Sequence, residues 1–185
     1  MKNQGFTLFE ALIAITVGVT LLGLVMSIYI LSIKSLNSGQ NRAELTQDSR
    51  IIIERITRDF REARDIATIL PETKDDVENP PPNDVEVQDG HTTILQYVRY
   101  YLTGTDLNRQ IRQYSFASES TILVPFDAED DFSNPPDVTI ISDNVVGEFV
   151  NDIDYYGNNP IFLELILIEG EITHNTRTTV YGRNL

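Results

Sequence analysis

The sequence predicts an α+β protein in which one long N-terminal helix precedes an antiparallel β-sheet. Three observations support this prediction: an uncharged apolar segment, a following stretch with helical periodicity, and a series of strand-like segments separated by turns. The chain has 185 residues, about the length of a single domain. A helix followed by successive strands is typical of α+β folds, in which the sheet packs on the helix.

The first element is strongly apolar. Residues 11–33 are 23 consecutive residues without a charge, and extending this run back to Phe6 adds a single charge, on Glu10. A helix of about 20 apolar residues crosses the ~30 Å hydrocarbon core of a bilayer. The segment 6–33 is therefore predicted to be a membrane-spanning helix.

Three interpretations of this segment compete. A cleaved secretory signal has an apolar region of about 7–15 residues and then a small-residue cleavage site, whereas this segment is longer and lacks that site. A plain single-pass anchor accounts for everything except Glu10, because a carboxylate within an apolar span is costly unless it is paired. The third interpretation gives Glu10 a partner and depends on the residues around it.

The residues around Glu10 form a motif. The sequence GFTLFE at residues 5–10 follows the short polar leader MKNQ and precedes the apolar run. This arrangement resembles the prepilin processing motif of type IV pilins, type II secretion pseudopilins and related competence filaments. The resemblance implies a pilin fold, in which a long membrane-spanning helix packs on an antiparallel β-sheet.

The resemblance also implies how the N-terminus is processed. A membrane prepilin peptidase, which is also an N-methyltransferase, would cut after Gly5, so that residues 1–5 leave as a leader peptide. Phe6 would become the methylated first residue. Glu10 would then lie one helical turn from the Phe6 amine and pair with the amine of a neighbouring subunit. Gly5, Phe6 and Glu10 are thus the predicted cleavage, methylation and assembly residues.

The next segment, 34–70, is predicted to continue this helix as an amphipathic stretch that enters the globular domain. Its apolar residues recur at spacings of three, four and seven, which is the pattern of a helix with one buried stripe. The sequence around 38–41 is the point where the helix is expected to loosen, and Pro71 is expected to end it. The predicted stripe consists of Leu45, Ile52, Ile53, Ile56, Phe60, Ala63, Ile66, Ala67 and Leu70.

Residues 71–185 are predicted to form a β-rich globular domain. A Pro- and Asp-rich loop at 71–90 precedes segments rich in β-branched and aromatic residues, separated by turn sequences. Residues 144–150 are open to two interpretations, a short helix or the entry to a strand. The predicted strands are 92–102 and 107–116, which form a hairpin, followed by 121–124, 138–142, 149–156, 161–169 and 172–181.

Several short runs in this part, including 97–102, 107–109, 144–146 and 180–184, are similar to large minor pilins, namely the J-type pseudopilins and the W-type minor pilins. The family resemblance implies a structural subunit, not an enzyme, that assembles into or primes a filament. Its implied partners are the peptidase, other pilins or pseudopilins, an inner-membrane assembly platform and the lipid bilayer. Before assembly it would be a single-pass inner or cytoplasmic membrane protein with a periplasmic or extracellular domain. A major pilin and a non-polymerising membrane-anchored binding or sensor domain remain alternatives.

The charge distribution limits the remaining function classes. The net charge is −14, from 28 acidic and 14 basic residues, and residues 67–185 account for −15 while residues 1–66 are at +1. Phosphate recognition needs a basic face, so no direct contact with nucleic acid is expected.

Cysteine content and sequence motifs exclude further classes. The chain lacks cysteine, which excludes disulfides and thiolate chemistry, and no P-loop, dinucleotide or zinc-protease motif is present.

An acidic loop is the remaining candidate for a cofactor. Carboxylates in a cluster can bind Ca²⁺ through 6–8 oxygens in all, but the cluster lacks the spacing of an EF-hand loop. A solvated acidic loop is the preferred interpretation, and no cofactor is expected. The candidate calcium ligands are Asp127, Glu129, Asp130 and Asp131.

Overall fold

The computed structural model describes residues 7–183 and has the predicted α+β layout, a long helix and antiparallel sheets. The helix α1 covers Leu8–Glu62, 55 residues, without a break at 38–41. The chain divides into two compact units, residues 1–42 and residues 43–185. The second unit contains the last part of α1 together with every strand.

The C-terminal end of α1 differs from the prediction. The helix ends at Glu62, whereas the sequence pattern extended it to residue 70. The chain then forms the two-residue strand β1, Asp65–Ile66, which pairs with β2, Val85–Gln88. The apolar periodicity persists past the helix because Ile66 still packs against the core, although from a strand.

Five antiparallel strands form the first sheet, in the order β1-β2-β3-β4-β5. The predicted hairpin is present as β3, Tyr97–Thr103, and β4, Asp106–Ser115, although β3 begins five residues later than predicted. Its two-residue turn begins with Gly104 at φ +64°, a conformation that favours glycine. The fifth strand, β5, covers Asp137–Gly147 and pairs with β4.

Two other predictions for this region are wrong. Residues 121–124 do not form a strand, because a short 3₁₀ helix at Ala117–Glu119 interrupts the chain and only an isolated bridge joins Leu123 to Ser115. The loop predicted at 71–90 contains β2. Of the two interpretations of residues 144–150, the strand is correct, since β5 continues to Gly147 and β6 begins at Val150.

The last three strands form a separate antiparallel sheet in the order β6-β7-β8. These strands cover Val150–Tyr156, Ile161–Glu169 and Ile172–Val180, close to the predicted segments. The alternation of buried and partly exposed residues along β7 places one face of this sheet in the core.

The core lies between the last five turns of α1 and both sheets. Five residues of the predicted stripe are buried, and Ile53, Ile66 and Leu70 pack against the cluster while partly exposed. The sheets contribute β-branched residues, leucines and two tyrosines, and Phe60 stacks on Tyr155 with ring centroids 5.8 Å apart. The buried stripe residues are Leu45, Ile52, Ile56, Phe60 and Ala63.

Candidate functional site

The N-terminal end of α1 is organised around Glu10. The Thr7 backbone N–H and the Thr7 hydroxyl both donate to Glu10 Oε2, at 2.9 and 2.8 Å. In return the Glu10 N–H donates to Thr7 Oγ1 at 3.3 Å. This reciprocal pattern is a capping box, in which a Thr at the N-cap and a Glu three residues later satisfy backbone donors that the helix leaves open. The sequence signal T-x-x-E was present at residues 7–10, and the prediction assigned Glu10 a role in assembly only.

The apolar part of α1 has no cover within the described chain. None of its most apolar 18-residue window is buried, and this helix is long and apolar enough to cross a membrane. Leu8 and Phe9, beside Glu10, are 88% and 72% exposed. So much contiguous apolar surface is typical of contact with a membrane or another protein, and not of contact with water.

Three hydroxyl groups within the apolar stretch are satisfied inside the helix. The side chains of Thr16, Thr20 and Ser27 each donate to the carbonyl oxygen four residues earlier. Lipid offers no hydrogen-bond partner, so internal satisfaction lets these polar groups sit in a bilayer. A Cβ added at Gly18 or Gly23 would meet nothing within 4 Å, so both glycines leave the helix surface open to a close neighbour.

A buried polar cluster joins α1 to the first sheet. Asp59 is 4% exposed, and its Oδ2 accepts hydrogen bonds from the Tyr100 hydroxyl and from Arg109 Nε, both at 2.7 Å. Burial, together with the adjacent Asp59 carboxylate, raises the pKa of the Tyr100 phenol well above its ordinary value. The phenol therefore stays neutral as a donor, and the Asp59 charge is balanced by Arg109. Sequence reasoning missed this cluster because its members lie 41 and 50 residues apart.

A second polar cluster lies at the C-terminal end of α1. The His91 ring lies between two carboxylates, with Nε2 2.9 Å from Glu62 and Nδ1 2.9 Å from Asp89. Burial disfavours the charge of Asp89, but hydrogen bonds from Gln96 and His91 outweigh it and lower the Asp89 pKa.

The acidic loop does not assemble a metal site in the described residues. No group of three or more potential ligands among residues 7–183 is close enough to hold a metal ion, so the candidates Asp127, Glu129, Asp130 and Asp131 are not gathered at one point. Asp130 organises the loop instead, because it accepts hydrogen bonds from the Phe132 and Asn134 backbone N–H groups and from the Asn134 amide. The Asn134 hydrogen bonds lower the pKa of Asp130.

Of the three residues predicted from the N-terminal motif, Glu10 is described and sits in the first turn of α1. Gly5 and Phe6 lie outside the described residues, and their cleavage and methylation remain predictions. The chain matches no protein-family model, no curated protein and no solved structure.

Proposed function

We propose that this chain is a structural subunit, of the minor pilin or pseudopilin type, of a filament that resembles a type IV pilus or a type II secretion pseudopilus. The observation that supports it most is the combination in one helix of a long uncovered apolar surface with a single carboxylate held in its first turn. A bilayer covers such a helix before assembly, and the helices of neighbouring subunits cover it afterwards.

Processing would create the charge that Glu10 needs. Hydrolysis of the bond between Gly5 and Phe6 adds water across the amide, leaving a carboxylate on the leader and a protonated amine on Phe6. N-terminal amines are ordinarily protonated near neutral pH, so this amine carries the charge opposite to that of the Glu10 carboxylate. Among apolar helices, a neighbour's amine offsets part of the desolvation of the Glu10 carboxylate, and removal of either group leaves the other unpaired.

The capping box explains how Glu10 is accommodated before it meets a neighbour. Two hydrogen bonds from Thr7 satisfy one carboxylate oxygen within the same chain. The carboxylate is thus fixed at the end of the apolar stretch, where pairing with another subunit sets the stagger between the two helices. Helix capping and subunit pairing are separate roles, and different substitutions test them.

The acidic domain fits the outer part of such a filament. Residues 67–185 carry a net charge of −15, which helps to keep an exposed domain soluble. The loose similarity to J-type and W-type subunits favours a place at the filament tip or in priming assembly. A non-polymerising anchored domain accounts for the span but gives the carboxylate at its end no partner of opposite charge.

Three variants of the full chain, expressed in a host with prepilin peptidase and an assembly platform, test the proposal. Glu10→Gln keeps an oxygen that accepts from Thr7 but removes the charge, and Glu10→Ala removes both. Thr7→Ala is the matched control, because it removes the cap hydroxyl and leaves the charge. We expect all three to be processed. Incorporation into filaments should fall at least tenfold for both Glu10 variants, as expected when a paired charge loses its partner, and less than threefold for Thr7→Ala.

Each result has a distinct meaning. Normal incorporation of Glu10→Gln would refute the pairing role, since the hydrogen bond alone would then be sufficient. An equal loss in Thr7→Ala would assign the effect to the helix cap. Failure of the wild-type chain to be processed or to enter filaments would favour the anchored-domain alternative.

A further inference from the structure

The second compact unit has a basic groove, although the chain as a whole is acidic. The groove lies between the second half of α1 and β8 and has a volume of about 960 Å³. Four arginines line it against two acids, Glu54 and Glu62. In the described part of the chain, Arg50, Arg58 and Arg61 take part in no ion pair. The fourth, Arg177, contacts Glu164 at 3.3 Å.

A free strand edge borders the groove and indicates a missing partner. β8 is an edge strand, with β7 on one side and no strand on the other in the described residues. Its outer edge offers backbone donors and acceptors to an added strand.

The complementary surface lies at the far edge of the other sheet. β5 is an 11-residue edge strand whose residues are mostly exposed. Its Val138, Ile140, Ile141 and Val145 side chains are each about half exposed. The segment 127–148, which contains β5, has seven acidic residues and no basic residue. Long apolar edge strands are templates for pairing with another chain, and this one carries the charge opposite to that of the groove.

We propose that the α1–β8 groove receives β5 and its acidic flanks from a second copy of this chain. The added strand would extend the β6-β7-β8 sheet by backbone hydrogen bonds, as in β-augmentation, while its carboxylates pair with the groove arginines. The two surfaces are different, so the contact is head-to-tail and leaves one groove and one β5 free at the ends. The inference rests on the proposed function and names the contact between the globular domains.

Disulfide cross-linking of the full chain tests this contact, and the absence of cysteine makes the background low. Two differently tagged populations, Ile140→Cys on β5 and Asn175→Cys on β8, are reconstituted together in phosphatidylcholine vesicles and oxidised. We expect a mixed disulfide dimer. Asn151→Cys, on the exposed part of the edge strand β6, replaces Asn175→Cys as the matched control. A yield no higher than with this control would overturn the inference.

Charge reversal in the groove gives the second readout. Arg58→Glu with Arg61→Glu in the Asn175→Cys population should lower the cross-link yield by about tenfold, because acidic flanks then face acidic residues. Arg55→Glu, on an exposed part of α1 that does not line the groove, should change the yield less than twofold. Equal losses in both variants would refute a specific groove contact.

Failure of the docking contact can be distinguished from failure of the proposed function. Leader removal and filament incorporation are scored on the same Ile140→Cys and Asn175→Cys variants in the host that carries the peptidase. Processing and incorporation without the mixed dimer would refute this docking contact and leave the filament proposal standing. A specific mixed dimer in vesicles without processing in the host would support the contact and refute the filament proposal.

Discussion

The Asp59 cluster gives the most direct test of how α1 is attached to the globular domain. Asp59→Ala removes the acceptor of two 2.7 Å hydrogen bonds, from Tyr100 and from Arg109. Tyr100 is fully buried and the Arg109 side chain is 23% exposed, so neither group regains full contact with water. Removing one partner of a buried ion pair costs about 3–5 kcal/mol. The partial exposure of Arg109 places the expected loss near the lower end, at about 3 kcal/mol.

The assay is thermal unfolding of the full chain in detergent, followed by tyrosine near-ultraviolet circular dichroism, since the chain has eight tyrosines and no tryptophan. A loss of about 3 kcal/mol corresponds to a Tm lower by roughly 10 °C in a unit of this size. Asp59→Asn keeps an acceptor and should lie between Asp59→Ala and the wild type. Lys74→Ala is the matched control, because it breaks exposed ion pairs worth at most about 1 kcal/mol.

A Tm for Asp59→Ala within about 3 °C of the wild type would refute the reasoning, since a shift that small is about what loss of one exposed pair gives. A double-mutant cycle with Arg109→Met sharpens the test. If the two residues act as a pair, the double variant should be less destabilised than the sum of the single variants. Strict additivity would assign the effect to packing alone.

Three further predictions concern the same globular unit. Gly90→Ala should destabilise it by about 1–3 kcal/mol in thermal unfolding, because the new Cβ would lie 1.7 Å from the Glu62 carbonyl oxygen. Gly39→Ala, on the part of α1 that lies outside this unit, meets nothing within 4 Å and should not lower the Tm. The pKa of Asp89 is lowered in the folded chain, so the ionised carboxylate contributes stability above the unfolded pKa of 3.8, and this contribution is lost as the pH falls through the folded value. The Tm difference between pH 6 and pH 3 should therefore be smaller for Asp89→Asn than for the wild type. An unchanged Tm difference would contradict this role of Asp89. Calcium titration should leave the Tm unchanged, and a saturable increase that Asp130→Asn abolishes would show that the loop at 127–131 binds the ion after all.

Local sequence patterns were sufficient to predict most of the helix and strand segments of the fold. The charge-free run and its helical continuation predicted α1, and β-branched alternation with turn residues predicted the β3–β4 hairpin, β7 and β8. The end of α1 was placed eight residues too late, because the apolar spacing persists through β1, where tertiary pairing overrides helical periodicity. The short strand β2 follows the acidic, Pro-rich residues 71–84, and only its pairing with β1 and β3 identifies it.

The residues of the candidate site were likewise only partly predictable from the sequence. The motif at residues 5–10 identified Glu10, and its capping box was readable as T-x-x-E. The Asp59 cluster and the groove arginines had no sequence signal, because both depend on strands more than 40 residues away along the chain. The division into two sheets, with β5 exposed at an edge, likewise follows from strand order and not from the pattern of any one strand.

The central claim is that this chain is a processed filament subunit, and the mass of its N-terminal peptide tests it most directly. The full chain is co-expressed with a prepilin peptidase, recovered from membranes, and analysed by mass spectrometry after proteolysis. The account predicts a mature chain that begins at Phe6 with one added methyl group, and an unprocessed chain when Gly5 is replaced by leucine. A wild-type chain that keeps Met1 and the residues up to Gly5 in the presence of active peptidase would contradict it.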